Sequence, residues 1–139
     1  MLAVLAVAAV GSAQAAGYDP IETRQAGQDL LAGTFNGIKA IVAAKGDMKT
    51  VDTGAKAMAR WITQFPSQFP KGSDQGHNTK ALPVIWTDPA GFEKASQDLA
   101  TASTKLSELA KAGDVTAVAA QVTVVGDACA ACHKNFRAR

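Results

Sequence analysis

The stretch GDACAACHKNFRAR, residues 126–139, ends the chain and brings two cysteines and a histidine together. Cys129, Cys132 and His133 have the spacing C-x-x-C-H, the attachment signature of c-type haem. Residues three apart share one face of a helix, so both thiols reach one edge of a porphyrin and the following imidazole reaches the iron. We therefore predict one covalently bound haem c, with Cys129 and Cys132 as its thioether anchors and His133 as an axial iron ligand.

Paired cysteines beside a histidine also occur in redox and metal sites, which fit this sequence less well. A thioredoxin-like redox pair lies at a strand-to-helix turn, whereas this motif lies in a helical pattern near the C-terminus. A Cys-Cys-His zinc site usually has a fourth ligand, and the other histidine, His77, lies in a long loop. Two structural cysteines beside an unrelated histidine are the remaining alternative. Haem also accounts for the alanine-rich core, since a large flat group fills volume that small side chains leave.

Upstream of the motif, apolar residues recur at alternating steps of three and four in four windows, which is typical of bundle helices. The windows run from Tyr18 to about Ala44, about Met48 to Phe65, about Pro89 to Ala112, and about Asp114 to the end. The pattern predicts an all-α fold: an antiparallel up-down-up-down four-helix bundle with covalently bound haem.

Residues that typically begin or end helices lie between the windows and support this division. Asp19 and Asp88 each precede a proline, which is a favourable N-cap followed by a favourable first helical residue. Gly46-Asp47 and Gly113-Asp114 predict a glycine that ends one helix and an aspartate that caps the next. The middle connection, about Pro66 to Thr87, contains too many prolines and glycines for a helix and is predicted to be a long loop.

Composition excludes several other classes of protein. The chain has 139 residues, 47% of them hydrophobic, enough for a single domain. The net charge of +2 gives no support for nucleic-acid binding. Two cysteines cannot form a disulfide scaffold.

Residues 1–16, MLAVLAVAAVGSAQAA, are predicted to be a secretory signal peptide. The apolar run is shorter than the roughly 20 residues that span a bilayer, and Ala13-Gln14-Ala15 is a small-x-small cleavage pattern. A buried N-terminal helix is the alternative. No other run approaches membrane length, so we expect a mature haem-binding domain over residues 17–139, located in the periplasm and not inserted in the membrane.

The sequence resembles the cytochrome c′ family, the class II c-type cytochromes. The resemblance covers essentially the whole mature chain. It rests on the four-helix periodicity, the C-terminal segment 129–137, the early pair Arg24-Gln25 and the loop segment 82–86. The position of C-x-x-C-H at the end of the chain distinguishes class II from class I, in which the motif lies near the N-terminus.

The resemblance implies further haem-binding residues. Arg24 matches a family arginine near the haem propionates, and Gln25 is a weaker candidate for the same polar edge. Arg137 matches a basic residue that the family keeps beside the proximal face. The alternatives are a solvated surface arginine for Arg24 and an ordinary charged tail residue for Arg137.

The distal position opposite the axial histidine corresponds to Gln28, four residues after Arg24. Family members with high-spin iron have an apolar residue there, so Gln28 departs from the pattern. Gln28 has three possible roles. Its side chain donates a hydrogen bond to a bound ligand, points away from the iron so that Leu31 covers it, or ligates the iron weakly through the amide. If a methionine were the sixth ligand of the iron, it would have to be Met48 or Met58, both of which belong to the second helical window.

These observations predict a periplasmic haem protein with high-spin iron that binds nitric oxide or carbon monoxide, carries single electrons, or does both. The alternative is a low-spin carrier that only exchanges electrons with periplasmic redox partner proteins. An enzyme is not expected, because the sequence offers no distal histidine or second metal site. A homodimer through the first two helices would use apolar residues outside the bundle seams, such as Leu30, Ile41 and Trp61.

Overall fold

The computed structural model describes residues 17–139, so the signal peptide predicted for residues 1–16 lies outside the described residues. The helices are α1 (Pro20–Ala43), α2 (Met48–Gln64), α3 (Val84–Thr87), α4 (Pro89–Ala112) and α5 (Val115–Phe136). Four of them are long and coincide with the four predicted windows, α3 being a single added turn. The all-α, four-helix prediction is confirmed.

Aspartates begin the four long helices as predicted. The Asp19 carboxylate accepts hydrogen bonds from the backbone N–H groups of Ile21 and Glu22, at 2.7 and 3.1 Å. Asp47, Asp88 and Asp114 cap the starts of α2, α4 and α5 in the same way. These side chains satisfy N–H groups that have no partner within the helix.

The predicted glycine stop is confirmed for one helix and wrong for the other. Gly113 ends α4 in the left-handed conformation, with φ at +76°. After α1 the positive φ falls on Lys45, at +53°, rather than on Gly46. The Gly46 N–H then bonds to the carbonyl of Ile41 at 2.8 Å, so the chain reverses one residue earlier than the sequence indicated.

The core runs along the bundle axis and is densest between α2 and α4. Val51, Ala55 and Leu106 have no measurable exposure. Helix α1 packs mainly on α2 and α5 mainly on α4, while α1 and α5 touch each other little. The helices therefore leave a gap between α1 and α5.

The connection between α2 and α4 contains helical turns that the sequence analysis did not predict. A 3-10 helix spans Phe65–Gln68, and α3 spans Val84–Thr87. Proline at a helix start loses no intrahelical hydrogen bond and already has helical φ. Pro66 lies in the first turn of the 3-10 helix and Pro83 lies directly before α3, so these prolines begin helical turns.

Two further expectations need correction. Helix α5 is long and apolar enough to span a membrane by length and composition, contrary to the expectation that no such run follows the leader. Of the three apolar residues expected outside the seams, Leu30 is 73% exposed, but Ile41 and Trp61 are partly buried against the core. The homodimer itself stays a prediction.

Candidate haem site

A cleft of about 690 Å³ opens in the gap between α1 and α5. Residues 79–81 line it from the connection, and Ile62 of α2 and Phe92 and Leu99 of α4 line it from the other two long helices. All seven residues predicted to bind haem line this one cleft: Arg24, Gln25, Gln28, Cys129, Cys132, His133 and Arg137. Residues more than 100 positions apart in sequence are thus brought to one site.

The two thiols lie on the wall formed by α5. Cys129 and Cys132 are half-buried and do not form a disulfide. Burial raises the pKa of Cys129, and burial together with neighbouring Cys129 raises the pKa of Cys132 to about 11. Both are therefore neutral thiols near pH 7, which argues against a redox pair that exchanges through a thiolate.

His133 lies on the same wall, at the mouth of the cleft. Desolvation lowers the pKa of its imidazole, and the positive charge of Arg137 lowers the pKa further. The imidazole is consequently neutral at physiological pH, the form that ligates iron. Arg137 leaves the helix in extended conformation and forms an isolated antiparallel bridge with Ala81.

Arg24 is buried, which excludes the surface-arginine alternative. Its side chain is only 3% exposed and stacks over Phe69 at 4.4 Å from the ring centroid. The guanidinium donates to Ser73 Oγ, Ser73 O and Thr79 Oγ1 at 2.9, 2.7 and 3.0 Å, and to Gln68 O at 3.3 Å. Arg24 therefore fastens the long connection onto α1 beside the cleft.

The two glutamines differ in their partners. Gln25 Nε2 donates to the carbonyl of His77 at 3.0 Å, which adds a second tie between α1 and the connection. Gln28 is half-buried, lines the cleft and makes no side-chain hydrogen bond within residues 17–139. Its amide is therefore available to a group bound in the cleft.

Several cleft residues were missed by sequence reasoning. An aromatic cluster forms the floor, with the Phe69 ring 5.0 Å from Phe65 and 4.8 Å from Phe92. Phe35 and Phe92 also line the cleft; the apolar pattern of their windows predicted helices but no contact with a cofactor. Thr79 and Lys80 line the rim from a connection without periodicity, so no sequence pattern indicated their position.

The residues present fit haem. The cleft has the size of a typical ligand pocket, and its apolar floor, paired thiols and neutral imidazole match the needs of a flat apolar group with a central iron. Cationic side chains at the rim suit the carboxylates of its propionates. Cys129 and Cys132 would hold haem covalently and His133 would hold the iron.

Comparisons with known proteins point to one family. The sequence profile of the family Cytochrome C′ matches residues 19–137. Cytochrome c′ of Rhodospirillum rubrum is 36% identical over 146 residues, covering 99% of this chain and 97% of that protein.

The chain belongs to the cytochrome c′ family.

Solved cytochromes c′ share the fold as well as the sequence. The crystal structure of cytochrome c′ from Rubrivivax gelatinosus superposes with a TM-score of 0.77 and 34% identity, covering 86% of this chain and 95% of that one. A variant of cytochrome c prime from Alcaligenes xylosoxidans, solved as its nitric oxide complex, superposes with a TM-score of 0.77 and 27% identity, covering 86% of this chain and 94% of that one.

Membership of the cytochrome c′ family establishes the cofactor and the broad class. The chain is a c-type haem protein with covalently bound haem c and iron, of a family associated with electron transport. Cytochromes c′ generally bind or carry haem and are not typical enzymes.

Proposed function

We propose that this cytochrome c′ holds high-spin iron with His133 as its one protein ligand and binds nitric oxide or carbon monoxide on the opposite side. The same iron exchanges single electrons with periplasmic redox partner proteins. Export through residues 1–16 places the domain in the periplasm. Within the proposal, haem supplies a one-electron redox couple and a free axial position.

The composition of the cleft carries this proposal. Among residues 17–139, His133 is the only histidine that lines the cleft, and no methionine does. Met58 is 2% exposed in the core, and Met48 lies at the opposite end of α2 from cleft residue Ile62. His77 is paired with Asp19 and Glu22, at 3.0 and 3.4 Å. No strong sixth ligand is therefore at hand in the described chain.

Gln28 gives the distal side a polar character. A half-buried amide gains free energy from a hydrogen-bond partner, and this one lacks a partner in the protein. We infer that Gln28 hydrogen-bonds a bound water or gas and does not ligate iron itself. The nitric oxide complex of the Alcaligenes xylosoxidans relative supports gas binding at a site of this architecture.

The other predicted residues act at the edges of the site. Desolvation lowers the pKa of the His133 imidazole, and the positive charge of Arg137, one turn further along the chain, lowers it further. Arg24 and Gln25 hold the connection that forms the rim. Each of these residues positions the haem or tunes its surroundings.

Optical spectroscopy of the holoprotein tests the proposal. We expect a broad high-spin Soret band that changes when carbon monoxide is added to the reduced protein. Gln28→Leu removes the distal hydrogen-bond donor, so the spectrum of the resting ferric protein should lose its bound-water character. Gln97→Leu, on the exposed face of α4, is the matched control and should leave every band unchanged.

Two results would contradict the proposal. A sharp low-spin reduced spectrum that ignores carbon monoxide would indicate the alternative, a low-spin carrier limited to electron transfer. A Gln28→Leu protein with the same bands and gas response as the parent would remove Gln28 from the distal side.

A further inference from the structure

Arg24 has little hydrogen-bonding capacity left for haem. A guanidinium has five N–H groups, four of them on its two terminal nitrogens. Nη1 and Nη2 each make two hydrogen bonds to the connection, so the terminal N–H groups are occupied. A bidentate pair with a propionate requires two parallel N–H groups, and freeing them would leave buried oxygens of Ser73 without a donor. Arg24 therefore contributes its positive charge to the site, while the terminal N–H groups of its guanidinium bind the connection.

Lys80 occupies the cleft rim with a fixed backbone. Its carbonyl accepts the N–H of Ala138 at 2.8 Å, and the N–H of Leu82 donates to the carbonyl of Phe136 at 3.0 Å. The bridge between Ala81 and Arg137 lies between these two bonds. The connection and the C-terminal tail thus hold Lys80 beside the haem-attachment helix.

The Lys80 ammonium is also unpaired. The ion pairs within residues 17–139 do not include Lys80, which is one of the residues that line the cleft. The one carboxylate that lines the cleft, Asp29, has the wrong sign for a propionate. Of the other two cations there, Arg24 is bonded to the connection, and Arg137 acts on His133, whose pKa its positive charge lowers.

We propose that the ammonium group of Lys80, rather than the guanidinium fork of Arg24, forms the hydrogen-bonded ion pair with a haem propionate. This inference rests on haem attachment at Cys129 and Cys132 but not on gas binding. An ammonium beside a propionate favours the ionised carboxylate. It also favours ferrous over ferric haem, because reduction removes one positive charge from the site.

The test compares Lys80→Gln, Lys80→Arg and the control Lys71→Gln as holoproteins. Lys71 is an exposed cation of the same connection that does not line the cleft. We expect Lys80→Gln to change the propionate bending band in resonance Raman spectra. It should also lower the reduction potential and move the propionate ionisation in its pH profile up by about one pH unit. Lys80→Arg should keep all three readouts close to those of the parent, and Lys71→Gln should change none of them.

The backbone bonds of Lys80 do not involve its side chain, so these variants should fold like the parent. A Lys80→Gln protein with the parent's Raman band and pH profile would overturn the proposal. An equal change in Lys71→Gln would also overturn it, since the effect would then be one of general charge. Carbon monoxide titration of the same samples reports on the proposed gas site separately.

Discussion

At the scale of single residues, one buried cation organises the rim of the haem cleft. Arg24 on α1 holds three points of the connection that follows α2, across about 50 residues of sequence. Burial lowers the pKa of the guanidinium, but an arginine stays charged in proteins. Its hydrogen bonds, together with the Phe69 ring beneath it, offset the cost of burying that charge.

We expect Arg24→Lys to destabilise the holoprotein even though it keeps the charge. A lysine has no planar fork, so at least two of the four bonds are lost, and bonds to a charged group contribute about 1.5–3 kcal/mol each. The free energy of unfolding should therefore fall by about 3 kcal/mol or more, measured by denaturant titration. Arg60→Lys, at an exposed site on α2, is the control and should change it by less than about 0.5 kcal/mol. Equal stability of the two variants would show that the hydrogen bonds of the Arg24 guanidinium do not stabilise the folded protein.

The residue scale also marks where sequence reasoning stops. Cys129, Cys132 and His133 could be proposed as haem ligands from the sequence because that chemistry depends on local spacing along one helix. The partners of Arg24 were not, since Ser73 and Thr79 lie about 50 positions away in a segment without periodicity. Lys80 reaches the cleft only because the tail pairs with the connection, and such long-range backbone pairing leaves no local signature.

At the scale of helices, small residues set how closely the bundle packs. A Cβ added at Gly27 on α1 would overlap the ring of Trp61 on α2, so the two helices meet where α1 has no side chain. Gly33 on the same helix has nothing within 4 Å of an added Cβ. The same residue type is therefore required at one position and replaceable at the other.

This contrast predicts opposite effects for two identical substitutions. Gly27→Ala forces Trp61 to move and should lower the free energy of unfolding by about 1–3 kcal/mol. Gly33→Ala meets no neighbour and should raise it by up to about 1 kcal/mol, because alanine favours helix more than glycine does. Thermal unfolding of the two holoproteins, followed by circular dichroism, measures both. A stabilising Gly27→Ala would mean that α1 and α2 are not closely packed there.

A second contact between helices makes stability depend on pH. Asp52 on α2 accepts hydrogen bonds from Lys56 at 2.7 Å and from Ser107 on α4 at 2.6 Å, and these bonds lower its pKa. A carboxyl with a depressed folded-state pKa stabilises fully above its ordinary value of about 3.9 and loses that contribution as pH falls through the folded value. The melting temperature should therefore fall below about pH 4.

Asp52→Asn tests this dependence. The variant should be less stable than the parent at neutral pH and should show a shallower fall of melting temperature between about pH 4 and pH 2. Asp98→Asn removes an exposed carboxylate paired with Lys94 on α4 and is the matched control. Identical acid profiles for the parent and Asp52→Asn would contradict the proposed link between α2 and α4.

At this scale, the helix caps and the apolar faces of the helices could be predicted from the sequence, because each depends on neighbours three or four positions away. The four aspartate caps were predicted and confirmed. The 3-10 helix at Phe65–Gln68 and the turn of α3 were not predicted, because the prolines of this connection were counted only as breakers. Proline at a helix start has the opposite effect, and the count alone does not tell where in a turn it lies.

At the scale of the whole molecule, the bundle consists of a tightly packed pair and two walls around a cleft. Helices α2 and α4 share the most extensive contact, whereas α1 and α5 touch little and face each other across about 690 Å³. The proposed attachment through both thiols of α5 would place haem between those walls. A haem held there would supply much of the contact that α1 and the C-terminal half of α5 need, while the α2–α4 pair depends on its own side chains.

This arrangement predicts unequal stability along a chain that cannot attach haem. In a Cys129→Ser, Cys132→Ser double variant, backbone amides of α1 around Gln28 and of α5 beyond Val125 should exchange hydrogen at least tenfold faster, which corresponds to about 1.4 kcal/mol. Amides of α2 and α4 around Val51 and Leu106 should change much less, since their surroundings contain no haem.

Hydrogen exchange measured by mass spectrometry distinguishes these regions, with Val124→Ser on the exposed face of α5 as a control that keeps the attachment motif. Equal acceleration in all four long helices would show that the bundle unfolds as a unit and that haem does not act locally. Unchanged exchange around Gln28 would show that α1 needs no cofactor to stay in place.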